Sequence, residues 1–316
     1  NMTKHAVKVS IVGTGLVGST IAYTLTVKGT ASDIVLIDVD KKRAEGEAMD
    51  IEHGSPFFPE STIHAGSYDD ARGSDVVVVT AGTNQRQGET RMDLINRNAS
   101  IVTDVANNLK KVCPGAIIVM VSNPLDVMTR VMQDVTGFPA ERVIGTGTNL
   151  DSARFRYLLS QKFGVDARNI HGYILGEHGD SEFAAWSNVH IAGMNINEAS
   201  DNFGGIMGDY DYIDIENAAR NAAYEIINRK KATYYGIAAS ASRIVEAIVR
   251  NEKSIFPLSV KLDGQYGLKD VYLSLPTIIG ENGVERILTP YLSEQEENKL
   301  HHSAEVLEQA YEGLKK

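Results

Sequence analysis

Lys8-Val9-Ser10-Ile11-Val12-Gly13-Thr14-Gly15-Leu16-Val17-Gly18 is the stretch on which the reading of this chain turns. A run of strand character leads directly into three glycines spaced G-x-G-x-x-G, and an apolar helical pattern over 21–27 follows. In that setting the three glycines serve different ends. Gly13 turns the chain, Gly15 lets backbone approach a pyrophosphate, and Gly18 permits close helix packing. The helix that starts there offers free N–H groups and the positive end of its dipole to a phosphate. Twenty residues beyond Gly18, Asp38 closes a second β-branched run, where a carboxylate accepts hydrogen bonds from the adenosine ribose hydroxyls. The same carboxylate repels a 2′-phosphate, so the pattern selects NAD over NADP.

Working outward, short β-branched runs at 7–12, 34–37, 76–80, 117–121 and 143–144 alternate with helix-length amphipathic stretches. That alternation predicts a doubly wound parallel sheet of the Rossmann kind. Val76-Val77-Val78-Val79 and Ile117-Ile118-Val119-Met120-Val121 are apolar at every position, as strands covered on both faces are. Right-handed crossovers then gather the carboxyl ends of the strands along one edge, where loops converge on a ligand. Beyond about residue 150 the texture changes to helices at 150–163, 213–229, 233–250 and 293–313, a strand over 170–175, and strands at 254–260 and 271–279. The expected organisation is a Rossmann NAD-binding domain over 1–146 followed by an α+β substrate-binding and catalytic domain over 147–316.

Composition narrows the function. The chain has 316 residues, 43% of them hydrophobic and 23% charged, enough to bury a large core. A net charge of -10 with no dense Lys/Arg run repels nucleic acid and anionic lipid. No apolar run approaches the roughly 18 residues of a membrane span, and the beginning of the sequence lacks an apolar signal core. Cys113 is the single cysteine and is read as a packed free thiol in a reducing, cytoplasmic setting. Asn1, ahead of Met2, is left out of the reading.

Three further stretches carry polar groups that a purely structural role does not need. They are Gln85-Arg86-Gln87-Gly88-Glu89-Thr90-Arg91, Asp151-Ser152-Ala153-Arg154 and Gly176-Glu177-His178-Gly179-Asp180-Ser181. Together they suit reduction of a carbonyl, because hydride arriving at carbon leaves a developing alkoxide that needs a proton donor and a positive charge. His178 is the candidate donor, and Asp151 accepts its other ring N–H and favours the imidazolium. Arg154, three residues after Asp151, shares its side of a helix and can grip a carboxylate through two hydrogen bonds. Arg91 ends a glycine-containing stretch that can close as a lid and bring a second guanidinium to the carbonyl. Asn123, in Ser122-Asn123-Pro124 after a strand, is placed to hold the substrate hydroxyl or the nicotinamide ribose. His5, His53, His64, His190, His301 and His302 have no such company and are assigned no role. No histidine, cysteine and carboxylate cluster shows metal spacing, so no metal is expected.

These motifs, in this order from residue 7 to the terminal helix, resemble the lactate/malate dehydrogenase family, in its bacterial form. The resemblance implies an L-specific, reversible hydride transfer, with proton relay by His178 and Asp151, carbonyl polarisation by Arg91 and carboxylate binding by Arg154. It also implies that Asn123 and Thr233 line the substrate pocket and that Ile237 forms an apolar wall beside the nicotinamide. In this family the residue six before Arg91 separates substrates: arginine there pairs the second carboxylate of oxaloacetate, and glutamine goes with pyruvate. Here it is Gln85. Thr233 points the same way, so the expected reaction joins NADH and pyruvate to L-lactate and NAD+. Oxaloacetate, a broader range of 2-oxoacids, or NAD binding without catalysis are the alternatives. Gln87, Lys231 and Ala184 depart from the family, which usually has proline, glycine and proline there. Arg156 and His171 match positions that form a fructose 1,6-bisphosphate site across a subunit interface in bacterial members, and a homotetramer is implied.

Overall fold

Two valine-rich and isoleucine-rich strands with no polar face sit at the centre of the sheet, as their composition requires. A computed structural model describes residues 6–314; His5 lies outside the described residues. The first half runs β1 (Lys8–Val12), α1 (Leu16–Lys28), β2 (Asp33–Ile37), α2 (Lys41–Glu52), β3 (Thr62–Ala65), β4 (Val76–Val79), α3 (Arg91–Val112), β5 (Ile117–Met120), α4 (Leu125–Thr136) and β6 (Val143–Gly145). These six strands lie in the order β3-β2-β1-β4-β5-β6, all parallel, with the change of direction between β1 and β4. That is the Rossmann order, and it opens a crevice at the carboxyl ends of β1 and β4.

The second half begins with α5 (Asn149–Phe163). Small strand pairs follow: β7 (Ile170–His171), β8 (Ile174–Leu175), β9 (Phe183–Ala184), β10 (His190–Ile191) and β11 (Met194–Asn195). Then come α6 (Ile196–Asn202), α7 (Asp209–Lys230), α8 (Tyr235–Val249), β12 (Ser254–Asp263), β13 (Lys269–Gly280), β14 (Gly283–Ile287) and α9 (Glu294–Glu312). The long strands do not form a sheet of their own. β12 pairs antiparallel with β6 through Ser259 and Gly145, so β12, β13 and β14 extend the Rossmann sheet to nine strands. One continuous apolar core accordingly runs from Val9 to Leu307, and a smaller core around Phe155, Leu159 and Ile191 underlies the short strands.

Two expectations are corrected in detail, and one strand was not expected. The strand predicted over 170–175 is two strands in different sheets, because the chain turns at Gly172 and Tyr173. The helix predicted from 233 starts at Tyr235, so Thr233 lies in the connection after α7 rather than within α8. Edge strand β3 is half exposed and too weakly patterned to announce itself. Two departures from the family also find their local meaning. Lys231 closes α7 with φ +73°, the left-handed region that suits glycine. Ala184 uses its N–H to hold Glu216 Oε1 at 3.0 Å, a bond that proline lacks.

Candidate active site

The glycine loop is built as its spacing demands. Gly13 takes φ +102°, and a Cβ there would lie 2.5 Å from Thr80 Oγ1. A Cβ on Gly18 would lie 1.9 Å from the Gly13 carbonyl oxygen, so the first turn of α1 rests directly on the loop. Gly15 is different: nothing stands within 4 Å of its Cβ position, which leaves its backbone open at the start of α1. Asp38 sits at the end of β2, where Oδ2 accepts from the Thr14 N–H at 2.7 Å and hydroxyl at 2.8 Å, and Oδ1 from the Asp40 N–H at 2.9 Å. Burial works against its charge, but these bonds and the Arg43 guanidinium prevail and hold the carboxyl below its usual range. An open loop at a helix N-terminus beside a fixed carboxylate fits a dinucleotide with a free ribose diol.

A second group forms where α5 meets the β8–β9 connection. Asp151, in the first turn of α5, is almost fully buried, and its Oδ2 lies 2.7 Å from His178 Nδ1. Its Oδ1 lies 3.4 Å from Arg154 Nη1, one helical turn on. Burial alone would lower the His178 pKa, but the Asp151 charge and hydrogen bond, with Asp126 adding to them, raise it to about 9. His178 is therefore an imidazolium at neutral pH, with Nε2 left free for a substrate. The loop that carries it is clasped from two sides. Asp126, in the first turn of α4, accepts the His178 N–H at 2.8 Å and the Ser259 hydroxyl at 2.7 Å, while Ser303 of α9 accepts the Glu177 N–H at 3.2 Å and donates to the Ser181 carbonyl at 2.8 Å.

Residues 82–91 are exposed except for half-buried Glu89. Their base is pinned by buried Asn98 of α3, which accepts from the Thr83 N–H at 2.9 Å and donates to the carbonyls of Thr83 at 3.1 Å and Asn123 at 2.9 Å. Arg91, the first residue of α3, reaches to 3.9 Å from Glu177 Oε2, next to His178 in sequence. Gln85 is not brought to the group: it is exposed, and its amide donates to the Glu89 carbonyl at 2.8 Å within the same turn. Asn123 is exposed at the end of β5. Asn149 binds Ser240 Oγ at 2.9 Å and Leu150 packs against Gly236, so α8 is fixed against the start of α5 with Ile237 partly buried and Thr233 just ahead of it. Arg156 and His171 share none of these contacts: half-buried Arg156 lies beside Tyr173, and exposed His171 pairs opposite His190.

Glu182, Asp126 and Asn98 carry no sequence signal of their own, yet each touches the site. Glu182 also changes the reading of metal spacing, since Asp151, His178 and Glu182 bring one ligand atom each within 4.8 Å of one another. Sequence distance concealed that cluster.

The sequence of residues 7–145 matches the family model described as lactate/malate dehydrogenase, NAD binding domain, and residues 148–316 match that of the α/β C-terminal domain. The chain belongs to the lactate/malate dehydrogenase family. An L-lactate dehydrogenase of Acetivibrio thermocellus is 49% identical over 314 residues, 99% of each chain. Among solved structures, the minor L-lactate dehydrogenase of Enterococcus mundtii in its ligands-bound form is 42% identical with a TM-score of 0.95, covering 98% of this chain and 99% of that one. Its ligands-unbound form gives 0.92 at 41% identity, covering 100% and 99%. Membership makes the chain an NAD-dependent oxidoreductase and bears out the Rossmann reading of its first half. Among the described residues, no helix is long and apolar enough to cross a membrane.

Proposed function

We propose that this chain interconverts pyruvate and L-lactate, and that the observation carrying the proposal is the buried His178–Asp151–Arg154 cluster beside an NAD-binding crevice. Gly13, Gly15, Gly18 and Asp38 would hold the cofactor with Asn123 and Ile237, and bound NADH supplies the hydride. Arg154 binds the pyruvate carboxylate and sets its orientation through the planar guanidinium. His178 donates the Nε2 proton to the ketone oxygen as the alkoxide develops, and solvent restores it. Asp151 keeps the imidazole in place and stabilises its charge. Arg91 leaves the neighbourhood of Glu177 and places its charge on the carbonyl when the lid shuts, excluding water. In lactate oxidation neutral His178 accepts the hydroxyl proton.

Gln85 and Thr233 support pyruvate as the substrate. A neutral amide leaves the second carboxylate of oxaloacetate unpaired in a closed site, on the order of 10³-fold in discrimination. Loss of NADH absorbance with pyruvate, oxaloacetate and a branched 2-oxoacid, compared for the wild type and Gln85→Arg, tests this. The variant is expected to gain oxaloacetate and lose pyruvate turnover. Equal responses to both acids would place Gln85 outside the pocket.

The division of labour between residues 1–146 and 147–316, a cytoplasmic setting, a homotetramer and activation by fructose 1,6-bisphosphate belong to the same proposal. Leu16, Tyr23 and Val27 expose one apolar face of α1, with Met49 on α2 and Phe57 beyond it, which favours burial against another copy. Arg156, whose charge is disfavoured by burial, gains from an anion, and His171 lies on β7, which packs against the helix that carries Arg156. Pyruvate saturation curves with and without the bisphosphate at low protein concentration decide it; superimposable curves would remove that activation.

A further inference from the structure

Glu182 lies at the end of the catalytic loop, one residue before β9, and its side chain is buried. One ligand atom of its carboxyl falls within 4.8 Å of Asp151 and of His178. Its Oε1 is buried with no hydrogen-bond partner. Arg220 of α7 donates to the Glu182 backbone carbonyl at 2.8 Å and lies 3.3 Å from Glu216 Oε1, while its Nε is buried without a hydrogen-bond partner; its charge favours an ionised Glu182, but less than burial and the Asp151 charge oppose one. Two carboxylates this close in a buried site cannot both be charged, and Asp151 has first claim through its bonds to His178 and Arg154.

We propose that Glu182 is a positioning residue that stays protonated through the reaction and donates its hydrogen bond to Asp151. The proposal rests on the pyruvate reading for its rate predictions, though not for its protonation state. Burial and the neighbouring Asp151 charge both drive the Glu182 carboxyl far above its usual range, in keeping with the geometry. The proton is held, not passed on, and its consequence is electrostatic. A neutral Glu182 leaves His178, Asp151 and Arg154 with a net positive charge toward an anionic 2-oxoacid, where a second carboxylate would cancel it. The donated bond also tempers the basicity of Asp151, so that the imidazolium can release its proton to the substrate. The other charged groups around the pair are Glu177 and Arg91 beside the loop, Asp126 beneath His178 on α4, and Glu216 and Arg220 on α7. A metal ion has little to gain at this cluster, which already holds two cations on Asp151.

The test compares Glu182→Gln and Glu182→Leu by the pH profile of kcat/KM for pyruvate and by infrared spectroscopy. Glu182→Gln keeps a donor and is expected to hold the alkaline limb at the wild-type pH, rescuing most of the rate. Glu182→Leu removes the donor, and is expected to move that limb up by about one unit and to slow turnover about tenfold. A downward shift of about a unit in Glu182→Gln would mean that a negative charge had been lost, and would overturn the proposal. So would identical profiles in the two variants. Infrared spectra of the wild-type enzyme give an answer independent of activity and of how well the variants fold. At mildly alkaline pH Asp126, raised mainly by burial to about 6, is ionised, so a neutral carboxylic acid band is expected from Glu182. A wild-type spectrum without that band rejects the protonated state even if pyruvate is reduced; its presence in an enzyme inert toward pyruvate would spare Glu182 and reject the pyruvate reading.

Discussion

The charge of His178 is set chiefly by one neighbour, Asp151. With the imidazolium stabilised by Asp151 to about pH 9, kcat/KM for pyruvate is expected to stay level through neutral pH and fall as pH rises through about 9. Lactate oxidation needs the neutral ring and is expected to rise over the same range, so profiles in the two directions should mirror each other. Asp151→Asn keeps the shape and removes the charge, and is expected to lower pyruvate reduction on the order of 10³-fold to 10⁴-fold with NADH binding retained. Steady-state rates and NADH fluorescence titration check both halves of that statement. His178, Asp151 and Arg154 were legible in the sequence because carbonyl reduction needs those residue types. Glu182 and Asp126 were not, since an acid reads as a solvated surface group until the fold shows it buried against a partner from another segment. Gln85 was legible as a specificity residue only through the family resemblance, and its side chain turns to the Glu89 carbonyl.

At the scale of elements, the site depends on how loops are tied to regular structure. Asn98 links the base of the lid to the end of β5 through three hydrogen bonds from a buried position on α3. Asn98→Leu leaves backbone groups of Thr83 and Asn123 unpaired. It is expected to cost about 1–3 kcal/mol in stability and to raise KM for pyruvate, as urea unfolding and saturation kinetics would show. Ala184→Pro, although it restores the residue usual in the family, removes the N–H that holds Glu216. Its expected effect is a loss of about 1–2 kcal/mol, measurable as a lowered urea midpoint. Strands with uninterrupted valine and isoleucine, and the glycine loop, announced themselves through composition and spacing. The exposed edge strand β3 and the break at Gly172 did not, because edge pairing and a change of sheet are decided by neighbours distant in sequence.

Across the whole molecule, the joining of β6 to β12 makes one sheet of what reads in sequence as two halves. The apolar core is shared across the join, so the described residues are expected to unfold in a single cooperative transition, with far-ultraviolet circular dichroism and the fluorescence of Trp186 changing together. Two separated transitions would show that the halves are stable independently. The same continuity ties the start of α5 to β13, where Ser274 Oγ accepts the Thr148 N–H at 3.0 Å, and the His178 loop to α4, where Asp126 accepts the His178 N–H at 2.8 Å.

Pyruvate reduction by His178→Asn, set beside its affinity for NADH, probes this chemistry at its source. NADH should bind as tightly as in the wild type while kcat/KM for pyruvate falls by about 10³-fold or more, because carboxylate binding and the cofactor site remain and the proton donor is gone. Turnover within about tenfold of wild type, with NADH still bound, would mean that the proton reaches the alkoxide from another group, and that the His178–Asp151 couple is not the centre of the reaction.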